Sequence, residues 1–248
     1  MIIDVHTHYG ITESFNMPIQ LQLQCMDKHG IDYALISNIE CGINHENIEG
    51  NKKMIEIVRK NSGRFGCLLW GAENIAGEEK NQFKKLYTDN KDIVKGIKVH
   101  PDISKKRADD ECFDFYYEMA AEFSIPVQIH TNNSGFSDIK YVVNAAKKYP
   151  KTLFVMAHMD ISSDDCEEAL QAVRDNENIY GDTSWVKLDA VKKAAQMGID
   201  HKMMFGTDNP IPNEDRYMDV YYVDYYTLEE PYMRGVMCDN AKKIFNIL

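Results

Sequence analysis

The chain is expected to fold as an α/β protein, a single (β/α)8 barrel. Three observations lead there. Eight apolar runs of strand length alternate with charge-rich amphipathic stretches, at a repeat of about 30 residues, the size of one β/α unit. Eight parallel strands are the number that closes such a barrel, and 248 residues is close to its usual length. Five side chains that can bind a metal, His6, His8, His130, His158 and Asp208, stand at the ends of those runs. Residues so distant in sequence meet only if parallel strands bring their C-termini to one mouth.

The first strand is IIDVHTH from Ile2, and YALISN from Tyr33, FGCLLWG from Phe65 and VKGIKVH from Val94 follow. The second half holds PVQIHT from Pro126, LFVMAH from Leu153, IYGDTS from Ile179 and MMFGTD from Met203. Residues 51–60, 78–87, 110–123, 137–149 and 164–174 read as helices, because apolar residues recur there at three- and four-residue spacing. Ile55 and Val58 form one such set, and Val142, Val143 and Ala146 another. Ser137 or Asp138 is placed to cap the helix that follows, as is Ser163 or Asp164. One segment departs from the pattern. After Asp208 comes NPIPNEDRYMDVYYVDYYTLEEPYM, with two early prolines and a cluster of tyrosines. It reads as a long eighth loop with an outer helix, or as a substrate lid or dimer contact, since tyrosine suits interfaces.

No linker, internal repeat or low-complexity tract divides residues 1–248, so one domain is expected. The net charge of −11 argues against non-specific binding to nucleic acid or to an anionic membrane. No apolar run approaches a membrane span, and a first strand entered at Ile2 leaves no signal peptide expected. The six cysteines form no CxxC pair and a core this large needs no staples, so they read as reduced thiols of a cytoplasmic protein.

Strand side chains alternate between faces, which puts His6 and His8 on one face, shared with Ile2 and Asp4. His130 shares a face with Gln128, and Asp208 with Gly206, whose missing side chain leaves room below the mouth. Three histidines and an aspartate suit Zn²⁺ first, and also Mn²⁺, Fe²⁺ or Co²⁺; Mg²⁺ and Ca²⁺ prefer more oxygen ligands. With one position left open, such an ion lowers the pKa of water toward neutrality and supplies a nucleophile.

HxH on the first strand, histidines ending the fifth and sixth, and aspartate ending the eighth resemble the amidohydrolase superfamily. The phrases GIKVHP, FGTDNP and the terminal NAKKIFNI are similar to its amidohydrolase-related branch, which includes hydrolases and the aminocarboxymuconate semialdehyde decarboxylase group. The resemblance spans the chain from His6 to the last helix. It implies that His6, His8, His130 and Asp208 ligate the metal and that Asp208 also takes a proton from the attacking water. His158 would bind a second metal in a binuclear site, or act on substrate or water in a mononuclear one. Binuclear relatives often carry a carboxylated lysine or a glutamate on the fourth strand. Here Lys98 and His100 share one face of VKGIKVHP without clearly supplying a bridge, so one ion is expected.

Lys98, His100, Trp185 and Arg216 are the substrate-binding candidates, the basic ones as partners for a carboxylate. Arg107 is a further candidate of that kind, Glu73 a loose one for the mouth, and Asp4 is expected to fix a histidine or a backbone amide. His29, His45 and His201 fall outside the strand-end set. The reading is a metal-dependent hydrolase that cleaves a C–N or C–O bond of a small, carboxylate-bearing substrate, with Asp208 as general base and His158 beside the developing oxyanion. Its alternatives are a decarboxylase or hydratase on the same site, a TatD-like nuclease, and a non-catalytic metal-binding protein. The expected partners are a small-molecule substrate and a second copy in a homodimer, with no nucleic acid and no membrane.

Overall fold

The structure, a computed structural model, describes residues 1–211 and 228–248. All eight expected strands form. β1 (Ile3–Ile11) is followed by β2 (Asn16–Met17), a short strand the sequence reading did not include, which pairs antiparallel with the end of β1. Then come β3 (Tyr33–Asn38), β4 (Phe65–Trp70), β5 (Val94–Val99), β6 (Val127–His130), β7 (Phe154–Ala157), β8 (Ile179–Asp182) and β9 (Met203–Met204). The helices between them are α1 (Ile19–His29), α2 (Ile39–Ile43), α3 (Glu49–Arg59), α4 (Glu78–Thr88), α5 (Pro101–Ser104), α6 (Asp114–Phe123), α7 (Ile139–Lys148), α8 (Glu167–Asp175) and α9 (Leu188–Gln196).

β1 and β3 to β9 pair in chain order and in parallel. The ring closes through the residues just after β9. Val5 N donates to Phe205 O at 2.9 Å, Asp208 N to His6 O at 2.8 Å, and His8 N to Asn209 O at 2.9 Å. Every parallel strand therefore ends at the same mouth.

Alternation sorts the strand residues into two apolar layers. Ala34, Ile36, Cys67, Leu69, Phe154 and Met156 pack outward against helix residues such as Met54, Val58, Phe83, Val142 and Leu170. Their neighbours Leu35, Leu68, Val155 and Met204 face the barrel axis, where Ala241, Ile244 and Phe245 of the last helix pack with them. Strands covered on both faces read as continuous apolar runs, and all six residues of β4 are buried.

In β1 the alternation breaks. Its pairing with β3 shifts register between Asp4 and Thr7. Ile3 and Val5 join the inner layer, and the extra residue lets His6 and His8 also turn inward. Asp4 was expected on the face of the histidines. It lies off that face but fixes backbone amides as expected, accepting from His6 N at 2.9 Å and from Thr207 N at 3.2 Å, which braces the closure.

The cap on α7 is Asp138, whose carboxylate accepts from Lys140 N at 3.0 Å. α8 starts later than the sequence suggests, after left-handed Cys166 (φ 50°). Ser163 is used one step earlier, where its hydroxyl accepts from Cys166 N at 3.1 Å. No helix among the described residues is long and apolar enough to cross a membrane, and no disulfide joins the six cysteines.

Candidate metal centre

β1 brings the first two side chains to the mouth. His6 Nε2 lies 3.1 Å from His8 Nε2 and 3.4 Å from Asp208 Oδ1, and His8 Nε2 lies 3.0 Å from the same oxygen. His158 enters from the end of β7, and His6, His158 and Asp208 offer ligand atoms that all lie within 4.8 Å of one another. His158 (φ 70°), Trp185 (φ 62°) and Asp208 (φ 66°) all have left-handed backbone. For residues other than glycine that conformation costs about 1 kcal/mol or more each, and it clusters where the surrounding structure holds it for function. Here it turns the chain sharply at each strand end and keeps the side chain at the axis.

The tautomer of His6 follows from its buried carboxylate partner. His6 Nδ1 sits 3.0 Å from Asp182 Oδ2, so that nitrogen holds the proton and Nε2 is the bare one. His8 Nδ1 is 3.0 Å from the Ser37 hydroxyl. Two imidazole nitrogens and a carboxylate oxygen thus stand 3.0 to 3.4 Å apart, with His8 Nε2 at hydrogen-bond distance from Asp208 Oδ1. Those spacings suit ligand atoms held at roughly 2.0 to 2.2 Å from one divalent ion. The donor set fits a borderline transition metal. Lys98 Nζ, buried on β5, also reaches His6 Nε2, at 2.9 Å.

Electrostatics keep the set ready for a cation. Burial pushes His8 down to about 4, against the pull of Asp208, and pushes His158 down to about 3. Burial, with Lys98 and the neighbouring imidazoles, likewise holds His100 and His130 well below the usual imidazole range. Burial opposes ionisation of Asp208, but the adjacent His6, His8 and His158 hold it well below the usual carboxylate range. Asp182 stays at about 2 because His6, His158 and Ser184 overcome its burial. Burial lowers Lys98 to about 8, with Asp182 and Asp208 opposing.

The remaining candidates take distinct places. His130 is one step removed from the core of the cluster, its Nδ1 3.1 Å from His158 Nε2 and its Nε2 3.6 Å from Asp102 Oδ2. His100 stacks on His130 at 3.9 Å between ring centres, and on Trp70 at 6.0 Å. Its Nδ1 accepts from Ile103 N at 3.3 Å, which caps α5. Trp185 donates its indole N–H to Asp208 Oδ2 at 2.8 Å. Arg107 is turned away, paired with Asp109 and packed over Tyr141. Glu73 pairs with His45 at 2.7 Å. Arg216 lies outside the described residues.

Sequence reasoning missed Asp182 and Ser184. Asp182 accepts from the Gln128 amide at 3.0 Å, from His158 N at 3.2 Å and from Ser184 N at 3.1 Å, besides His6. The signal was present in IYGDTS, where alternation from Tyr180 carries Asp182 and Ser184 to the axis.

The sequence model of the family described as amidohydrolase matches residues 3–247. No curated protein matches significantly. Among solved structures, a 2,6-dihydroxybenzoate decarboxylase complexed with 2,6-dihydroxybenzoate superposes with a TM-score of 0.78 at 13% identity, over 99% of each chain. A 5-carboxyvanillate decarboxylase from Novosphingobium aromaticivorans, with bound manganese and 3-methoxy-4-hydroxy-5-nitrobenzoic acid, gives 0.73 at 15%, over 100% of this chain and 97% of that one. The 4-oxalomesaconate hydratase of Rhodopseudomonas palustris gives 0.70 at 16%, over 99% and 96%.

Proposed function

This chain belongs to the amidohydrolase family, and from that premise we propose that it is a metal-dependent lyase, a decarboxylase or hydratase acting on a small carboxylate-bearing molecule. The observation that carries the metal part is the convergence of ligand atoms of His6, His158 and Asp208 at one mouth, all within 4.8 Å of one another, with His8 3.0 Å from the same carboxylate. The similar structures favour lyase chemistry over the hydrolysis expected from the sequence, since two are decarboxylases and one a hydratase.

His6, His8, His158 and Asp208 are the residues placed to hold the ion, with His130 beside them. A bound divalent cation supplies positive charge that orients a substrate oxygen and stabilises negative charge developing on it. Zn²⁺ and Mn²⁺ both suit the donors. Asp208 is ionised at neutral pH and its Oδ2 accepts the Trp185 indole N–H; in this reading it is the group that takes a proton from substrate or water and returns it to the reacting carbon or the leaving oxygen. The Lys98 ammonium adds positive charge below the mouth, which favours an anionic substrate. His100 stacks on the buried Trp70 on one side.

The test is direct. The protein, reconstituted with Mn²⁺ or Zn²⁺, is offered hydroxybenzoates, unsaturated dicarboxylates, esters, lactones and amides. Release of CO₂ or addition of water to a double bond is expected, abolished by chelator. Turnover confined to esters, lactones or amides would return the assignment to a hydrolase.

A further inference from the structure

The Ser184 hydroxyl lies between His6 and His158 of the centre. Its oxygen is 2.9 Å from His158 Nδ1 and 3.1 Å from His6 Nδ1, and it also contacts Asp182 Oδ1. All four residues are buried, Ser184 fully. A hydroxyl has one proton and two lone pairs. Asp182 is an acceptor only, and it already receives the Gln128 amide, the His158 and Ser184 backbone N–H groups and His6 Nδ1–H. The Ser184 proton therefore goes to Asp182. Both lone pairs are left to accept: His158 presents its Nδ1–H to one, and the His6 Nδ1–H, aimed at Asp182 Oδ2, is shared with the other.

We propose that Ser184 is the positioning residue that fixes His6 and His158 in the same tautomer, with both Nε2 atoms bare and turned to the metal, so that a single hydroxyl couples a side chain of β1 to one at the end of β7. This rests on the metal reading above. The arrangement has a built-in asymmetry. His6 Nδ1 has a second acceptor in Asp182 Oδ2 at 3.0 Å, whereas His158 Nδ1 has Ser184 as its acceptor. If the hydroxyl is removed, His6 keeps its tautomer and His158 loses what sets it. His158 Nε2 then competes for the proton with Nδ1, because His130 Nδ1 lies 3.1 Å away and can serve as donor or acceptor.

Two measurements on the full chain decide the matter. The first is long-range ¹H–¹⁵N correlation of the imidazoles in metal-free protein, in which Nδ1–H and Nε2–H forms have different patterns. Wild type should show Nδ1–H for both His6 and His158. Ser184→Ala should leave His6 unchanged and give a mixture for His158, and Ser184→Thr should restore the wild-type pattern. The second is equilibrium dialysis against Mn²⁺ and Zn²⁺. Loss of such an orienting partner typically weakens metal binding about tenfold to a hundredfold, so Ser184→Ala should lose affinity by that factor and Ser184→Thr should stay near wild type. An unchanged His158 tautomer in Ser184→Ala, or wild-type affinity there, overturns the proposal. A wild-type protein that binds neither ion overturns the metal reading instead, while the spectra still judge Ser184. Should Ser184→Ala fail to fold, Ser184→Cys carries the same expectations, because a thiol is a weak acceptor.

Discussion

Asp208 divides its two oxygens between different neighbours. Oδ1 faces His8 Nε2 at 3.0 Å and His6 Nε2 at 3.4 Å, while Oδ2 accepts the Trp185 indole N–H at 2.8 Å. In the proposed function that division separates holding a cation from handling a proton. An amide has one oxygen where the carboxylate has two, and it takes no proton at neutral pH. Asp208→Asn should therefore keep metal at reduced affinity and lose turnover by about 10²- to 10⁴-fold, the usual cost of a missing general base. Metal content by elemental analysis and turnover on the substrate found by screening check this; near wild-type turnover would remove Asp208 from the chemistry. His158→Asn bears on stoichiometry. Loss of a second equivalent of metal there would contradict the single ion expected from the sequence.

The strands set how tightly the centre is framed. Gly206, between β9 and Asp208, leaves the space that His6 and Asp182 need. A Cβ at that position would lie 3.1 Å from His6 Cβ and 3.2 Å from the Asp182 carboxyl carbon. Neither neighbour yields easily, since His6 is bonded into the closure of the barrel and Asp182 is held by several donors. Gly206→Ala should push β1 and β8 apart by a few tenths of an ångström. We expect Mn²⁺ affinity to fall about tenfold with a destabilisation of about 1 to 3 kcal/mol, typical of overpacking. Calorimetry and metal titration of the same sample read both; unchanged metal affinity would show that the strand ends accommodate the methyl group.

Acid stability of the entire barrel follows from its buried imidazoles. His8 and His158 are held at about 4 and about 3 in the folded protein, and His100 and His130 are also held well below the ordinary value. In the unfolded chain each returns to about 6.5. Between pH 6.5 and 4 the unfolded state then binds more protons, so stability rises with pH in that window. The contribution is complete above about pH 6.5 and is lost as the pH falls toward 4, at up to about 1.4 kcal/mol per pH unit for each imidazole. Thermal melts of metal-free protein across this range should show Tm falling steeply below pH 6. A flat profile down to pH 4 would mean that these histidines are protonated in the folded state.

Much of this was open to reading from the residues in order. The eight apolar runs became β1 and β3 to β9, because a strand buried on both faces must be apolar throughout, and that composition is local. The strand-end positions of His6, His8, His158 and Asp208 were visible for the same reason. What the period of two could not carry was the register break in β1, which seats Ile3 and Val5 in the inner layer and still turns His6 and His8 inward. Nor could it show that Trp185 would reach Asp208, that His130 would stack on His100, or that Ser184 would stand between two histidines. Those contacts join residues tens to hundreds of positions apart, and they arise when barrel closure sets which strand ends share the mouth. Local pattern determines which segments are strands and which side chains stand at their ends. Distances between those side chains, the tautomers of the histidines and their displaced pKa values come from burial and from partners that the folded barrel alone assembles.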